Sequence, residues 1–211
     1  LLKLSPKIVA SDNPLQGLRN GQFDVVISAY LLNPNVTSSV QSIPYLAPKD
    51  DILALKTSSL HVTNLTDLCG HNVGVQVGSQ EETTLQNIQC GLNSLYNSAN
   101  ASPDADLLAN ALLSKKVDAI YQSSPTVGYY QKKYNGQFQI LGAPQQQLYQ
   151  EGILVRNDRQ GTLFNTVKVA YLSLVGNGTY HNLLKTKNWD LTADAIDPTP
   201  GTILPTVVKF S

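Results

Sequence analysis

The run Leu18-Arg19-Asn20-Gly21-Gln22-Phe23-Asp24-Val25-Val26-Ile27-Ser28 reads as the end of a helix, a tight polar turn and a buried β-strand. Leu112-Leu113-Ser114-Lys115-Lys116-Val117-Asp118-Ala119-Ile120-Tyr121 repeats that order of residue classes further along the chain. One α/β unit therefore occurs twice, and two similar lobes are expected. The chain can support them: 211 residues, 42% of them hydrophobic, suffice for one large or two modest cores.

Around these two runs, strand and helix signals alternate at short intervals. Lys7–Ala10 reads as a strand, and Asn13-Pro14 offers an N-cap and a first-turn proline for a helix that stops at Asn20-Gly21. Phe23–Ser28 is an apolar run of the kind a parallel strand buried on both faces requires. Asn33–Pro48, with Pro34, Pro44 and Pro48, reads as a connecting loop. Strands are expected at Asp51–Lys56 and Asn72–Val77, with a short helix at Thr63–Cys69 between them. Ser79 and Glu82 have capping-box spacing at the start of another helix. Further on, helices are expected at Ser102–Leu113, Ser124–Lys133, Thr162–Val175 and Thr179–Lys187. The remaining strands fall at Val117–Tyr121, Gln137–Leu141 and Gly152–Val155, the last two separated by Gln145-Gln146-Gln147, and the tail from Asp197 reads as irregular.

Charge narrows the partners. Lys plus Arg balances Asp plus Glu at 15 each, and only 14% of residues are charged, so no footprint for nucleic acid or an anionic membrane is present. No apolar run approaches the roughly 20 residues that span a bilayer. No basic-then-apolar leader opens the sequence, and a start at Leu1 in a chain without Met reads as a processed or trimmed N-terminus. Cys69 and Cys90 are either a disulfide, which would place the chain outside the cytoplasm, or two buried free thiols. Sequons begin at Asn35, Asn64, Asn100 and Asn177 and do not by themselves establish glycosylation.

Several motifs, in order and spacing, resemble the family 3 extracellular solute-binding proteins that serve ATP-binding-cassette importers of polar amino acids. They are Gln22-Phe23-Asp24-Val25-Val26-Ile27-Ser28, Pro44-Tyr45, Asp67-Leu68-Cys69-Gly70 followed by Val73-Gly74-Val75-Gln76-Val77-Gly78-Ser79, Val117-Asp118-Ala119, Gly152-Ile153, and Asn177-Gly178-Thr179-Tyr180 ahead of Trp189. The resemblance implies a two-lobe α/β fold of the type II periplasmic-binding-protein kind. Each lobe would be a mainly parallel sheet flanked by helices, with two hinge strands and capture of a ligand by lobe closure. It places lobe 1 at 1–45 plus 151–211, lobe 2 at 50–145, and hinges at about 45–50 and 145–151. It also implies a monomer, without cofactor or metal, that is periplasmic or extracellular, can be lipid-anchored, and partners a membrane permease.

Two departures from the family pattern bear on function. Members normally begin with some forty more residues, including a first strand and helix of lobe 1, which this sequence lacks. In amino-acid binders an Arg after the Phe-Asp strand forks onto the ligand carboxylate, and an Asp at the end of the second repeated strand accepts its ammonium. By position these fall on Val36 and Ser123, and neither carries charge. A zwitterion buried without such partners would lose several kcal/mol, so the pocket suits an amino acid-like or other small polar metabolite that is neutral or singly charged.

The ligand-facing residues that the resemblance then implies are Ser28, Tyr30, Leu31, Gln76, Gly78, Ser79, Gln80 and Ser123. Gly78, Ser79 and the amide of Gln80 stand at a helix N-terminus, where free N–H groups favour an anionic or carbonyl oxygen. The plainer alternatives are that Ser79 only caps a helix, Tyr30 packs in the core and Ser28 ends a strand. An enzyme on the same fold, a cyclohexadienyl dehydratase, would need a general acid in the cleft. Glu151 beside the second hinge is the ionisable side chain placed there, its plain reading being a solvated hinge carboxylate. An extracellular ligand-sensing domain is a third class. His61, His71 and His181 are scattered, without metal-ligand spacing.

Overall fold

The structure, a computed structural model, describes residues 7–9, 11, 13–76, 79–88, 90, 98–99, 106–146, 150–158, 160–186, 189–190 and 195–196. In chain order the elements begin with α1 (Pro14–Arg19), β1 (Val25–Leu31), α2 (Pro34–Thr37), β2 (Gln41–Leu46), β3 (Lys49–Leu55) and a 3-10 turn (Leu65–Leu68). There follow β4 (Val73–Gln76), α3 (Gln80–Gln86), β5 (Ser98–Ala99), α4 (Asp106–Leu113), β6 (Ala119–Ser123) and α5 (Ser124–Lys133). The last are β7 (Phe138–Gln146), β8 (Glu151–Val155), α6 (Thr162–Gly176), α7 (Thr179–Leu184), β9 (Lys185–Thr186) and β10 (Trp189–Asp190). The chain divides into a first unit of Leu1–Ala47, Leu148–Lys185 and Thr192–Ser211, and a second of Pro48–Gln147 and Thr186–Leu191.

In the first unit a three-stranded sheet runs β1-β8-β2, both pairings antiparallel. β8 is central and buried along its whole length, so alternation sends its side chains to two cores. Ile153 and Val155 join Ile43, Tyr171 and Leu172 of α6, and Tyr180 of α7. Leu154 joins Leu18, Val26, Val36 and Val40. α1 forms as its sequence dictates: the Asn13 side chain accepts from the Gln16 N–H at 3.3 Å, Pro14 occupies the first turn, and the chain exits through Gly21 at φ +74°. Gly17 must lack a side chain, because a Cβ there would stand 2.3 Å from the Phe23 ring.

Three expectations for this unit are corrected. Lys7–Val9 is not a strand and lies exposed, Ile8 to 93%, because no described strand pairs with it; Ala10 falls outside the described residues. β1 is an edge strand antiparallel to β8, not a parallel strand covered on both faces, and Ile27 is 69% exposed. Asn33–Pro48 is not a loop. Asn33 caps α2, with Pro34 at its first position, and Pro44 is accommodated in β2 because that strand is the other edge of the sheet.

The second unit holds a five-stranded sheet in the order β5-β4-β6-β3-β7. β4 pairs parallel with β5 and β6, whereas β3 pairs antiparallel with β6 and β7, so the sheet is mixed rather than mainly parallel. Leu53 and Ile120 face α4 and α5 with Leu108, Ala109, Leu112, Val127 and Tyr130. Ile52, Ala119 and Tyr121 face the opposite core with Val73, Val75, Val62, Leu68 and Leu85. β6 enters its ladder at Ala119 rather than Val117, after Lys115 turns the chain at φ +58°. β7 continues through Gln145 and Gln146, which are strand residues and not a separator. Helix α7 stops at Leu184 and the chain continues as β9. Ser102–Ala105 and the tail from Asp197 lie outside the described residues.

The two repeated runs share a local device. Asp24, just before β1, takes the Arg156 guanidinium at 2.9 Å, and its carbonyl accepts the Arg156 N–H at 3.0 Å, closing the end of β8. Asp118, just before β6, accepts the Asn72 N–H at 2.9 Å and donates its own N–H to the Asn72 carbonyl at 2.7 Å, closing the start of β4. Each aspartate thus pins its strand to the neighbour. Cys69 and Cys90 are joined in a disulfide across a separation of 21, which settles the choice against free thiols. No helix among the described residues is long and apolar enough to cross a membrane.

Candidate solute-binding site

In the first unit the expected site residues lie on one strand. β1 departs from its ladder between Val26, opposite Leu154, and Tyr30, opposite Gly152. Ser28 falls inside this break and is exposed, with no printed hydrogen bond holding it back from a solute. Tyr30 is half-buried and packs against the Leu18 cluster, as the plainer reading has it, and Leu31 is half-buried opposite Glu151. Val36 is 5% exposed, turned into the same core by a helix whose Asn33 cap accepts its N–H at 3.1 Å. Burial of an aliphatic side chain here leaves no guanidinium for a carboxylate at this position.

The Glu151 reading is corrected. Its carboxylate is 5% exposed, not solvated, and accepts the Tyr45 phenol at 3.3 Å. Burial first, then the Glu151 charge, pushes the Tyr45 phenol well above its ordinary value, so it stays a donor across the physiological range.

The second unit gathers its candidates at one edge. β4 and β6 run parallel, Val73 opposite Ala119 and Gly74 opposite Ile120, so Gln76 and Ser123 end neighbouring strands, and α3 and α5 begin just beyond. Ligands of open α/β sheets gather at such carboxyl edges. Gln76 is exposed. Ser79 caps α3, accepting the Glu82 N–H at 3.1 Å, while its own N–H goes to the Gln76 carbonyl at 3.1 Å, where a full capping box would have the Glu82 side chain. Gln80 opens α3 half-buried, and Gly78 lies outside the described residues. Ser123 precedes α5 without capping it, and its hydroxyl lies 3.3 Å from Thr126 Oγ1.

Sequence reasoning missed the acidic side chains beside this edge. Asp50 is 2% exposed and stands directly opposite Ser123 in the β3/β6 ladder. It accepts the Tyr121 phenol at 3.2 Å. Asp51, opposite Gln122, and Glu81 in the first turn of α3 are buried as well. Burial, then the charges of Asp50, Glu81 and Asp51, raise the Tyr121 phenol far above its ordinary value. The available signal was Asp50-Asp51 directly ahead of Ile52-Leu53-Ala54-Leu55, a charged pair on a strand otherwise apolar. Among the described residues no group of His, Cys, Asp and Glu could hold a metal ion.

No protein-family profile matches the sequence, and no curated protein matches it. Solved structures do. An ancestral arginine-binding protein bound to glutamine is 25% identical, with a TM-score of 0.66 over 82% of this chain and 74% of that one. A mutant of ArgBP from T. maritima is 22% identical, with a TM-score of 0.69 over 84% and 75%. A Salmonella typhimurium periplasmic binding protein of high arginine specificity is 20% identical, with a TM-score of 0.64 over 84% and 77%. The chain has the two-lobe α/β fold of these binding proteins, and the resemblance read from its sequence holds at the level of fold.

Proposed function

We propose that this protein is the extracytoplasmic solute-binding component of an ATP-binding-cassette importer. It captures an amino acid-like or other small polar metabolite by closure of its lobes and hands it to a membrane permease. The observation that carries the reading is the likeness, over more than four-fifths of the chain, to proteins described as binding arginine or glutamine. The Cys69–Cys90 disulfide supports an oxidising compartment outside the cytoplasm. The enclosed Asp50 and Glu81 give the second unit's edge a negative field that favours a solute bearing a positive group. With Val36 in the core, such a solute is not gripped by a guanidinium at that position. Glu151 is engaged by Tyr45, which speaks for a binding role and against a general acid.

The test is mass spectrometry of small molecules released when the purified protein is denatured, followed by calorimetric titration with L-arginine, L-glutamine and the released compound. A solute bound one to one, with affinity lowered by Gln76→Ala at unchanged Tm, supports the proposal. A folded protein that releases nothing and binds no compound in a panel of polar metabolites refutes it. Loss of water from prephenate or arogenate on incubation would move the chain to the enzyme class.

A further inference from the structure

The break in β1 sets Ile27, Ser28 and Ala29 against the single residue Ile153 of β8, and all three are exposed. Ala29 sits at φ +48°, in the left-handed region where a Cβ crowds the backbone. Glycine takes such a place without strain. The corresponding break in the second unit, between Ile52 and Asp50 of β3, has Gly142 at φ +67°. The first unit therefore needs a hold that the second does not. Ala29 has one: its backbone amide donates to the Tyr45 phenolic oxygen.

We propose that Tyr45 and Glu151 form a latch that fixes the strained Ile27–Ala29 bulge and so sets how Ser28 and Tyr30 are presented to a solute, which makes both of them positioning residues. The hydrogen bonds run in one direction, from the Ala29 amide to the phenol and from the phenol to Glu151 Oε2 at 3.3 Å. A phenol has one proton and two lone pairs, so giving the proton to a carboxylate leaves its oxygen free to accept the amide. The acceptor is ionised, which strengthens the chain of bonds. The latch spans all three strands of the sheet, with Ala29 on β1, Tyr45 on β2 and Glu151 on β8. Tyr45 cannot swing away easily, because its carbonyl accepts both the Tyr180 hydroxyl and, at 3.4 Å, the Ile196 N–H.

The hold on Ala29 stands without any ligand, whereas its consequence for Ser28 and Tyr30 rests on the solute-binding reading. The two are tested separately. Amide hydrogen exchange followed by NMR in the wild-type protein should show Ala29 protected at least tenfold more than the neighbouring Ser28. Tyr45→Phe should remove that protection while the ladder amide of Leu154 keeps its own. Equal exchange at Ala29 and Ser28 in the wild type, or Ala29 protection unchanged in Tyr45→Phe, overturns the latch. Should Tyr45→Phe fail to fold, the wild-type comparison decides. For function, the probe is L-arginine or the solute released on denaturation. Tyr45→Phe should weaken its binding about tenfold, and Ala29→Gly added to Tyr45→Phe should restore it, because glycine needs no hold. Weakened binding that Ala29→Gly does not rescue refutes positioning through the bulge. Absence of any bound solute in the wild type counts against the solute-binding reading and leaves the exchange result to decide the latch.

Discussion

Replacing both cysteines, Cys69→Ala with Cys90→Ala, should destabilise the second unit mainly through its unfolded state. The bridge closes a loop of separation 21. Chain-entropy arithmetic for such a loop gives about 3 kcal/mol at room temperature. The native anchors survive without it, since Leu68 just before Cys69 and Leu85 on α3 are 4% and 6% exposed in one apolar cluster with Val73 and Val75. The far-UV spectrum should therefore be unchanged. Urea unfolding followed by the fluorescence of Trp189, the single tryptophan and a residue of the second unit, reads the relevant half. With m of about 1.5 kcal/mol/M the midpoint should fall by about 2 M, and m itself should rise slightly as the released loop exposes more surface. A fall of less than about 1 kcal/mol at constant m would refute the argument that the bridge acts on the unfolded chain. A changed native spectrum would refute the claim that the folded unit is self-supporting there.

Tyr121→Phe removes the phenol that donates to Asp50, which is 2% exposed, and should cost about 1–3 kcal/mol in urea unfolding. Gly142→Ala forces a Cβ into φ +67° and to 2.8 Å from the Val62 carbonyl oxygen, so a loss of about 2 kcal/mol or more is expected in thermal unfolding. The raised Tyr45 and Tyr121 phenols predict alkaline sensitivity. Unfolded tyrosines release their protons from about pH 10, whereas these two keep theirs when folded. Stability is then full below about pH 10 and declines above it by about 1.4 kcal/mol per pH unit for each such tyrosine. Tyr45→Phe should flatten that decline by about half, read from urea midpoints between pH 9 and roughly 11; an unchanged slope would show that the phenol ionises in the folded state as freely as in the unfolded one.

Local chemistry made much of the fold legible in the sequence. Asn13-Pro14 marks the start of α1, the apolar run Gly152–Val155 gives β8, and the periodicity after Thr162 gives α6, because each depends on neighbours a few residues away. What escaped depends on distant partners. Apolarity in Phe23–Ser28 says that a strand forms, but only β8 decides that it is an antiparallel edge. Prolines in Asn33–Pro48 read as breakers because nothing local reveals that Pro44 meets an edge and Pro34 a helix start. Of the site, Gln76, Ser79 and Ser123 fell where strands were expected to end, whereas the Asp50–Tyr121 and Glu151–Tyr45 pairs join side chains 71 and 106 positions apart. A carboxylate in a sequence looks solvated until the residue that enfolds it is found.

The central position of β8 sets an order on biosynthesis. β1 and β2 share no rung with each other, and each bonds only to β8, which emerges after all five strands of the second unit have been made. Chain growth therefore leaves the two early strands waiting, their amides and carbonyls open, while the middle of the polypeptide can already consolidate. A ribosome-stalled product ending before Glu151 should hold a folded second unit behind an unfolded leader, and the first unit should snap into place only once Val155 has cleared the exit.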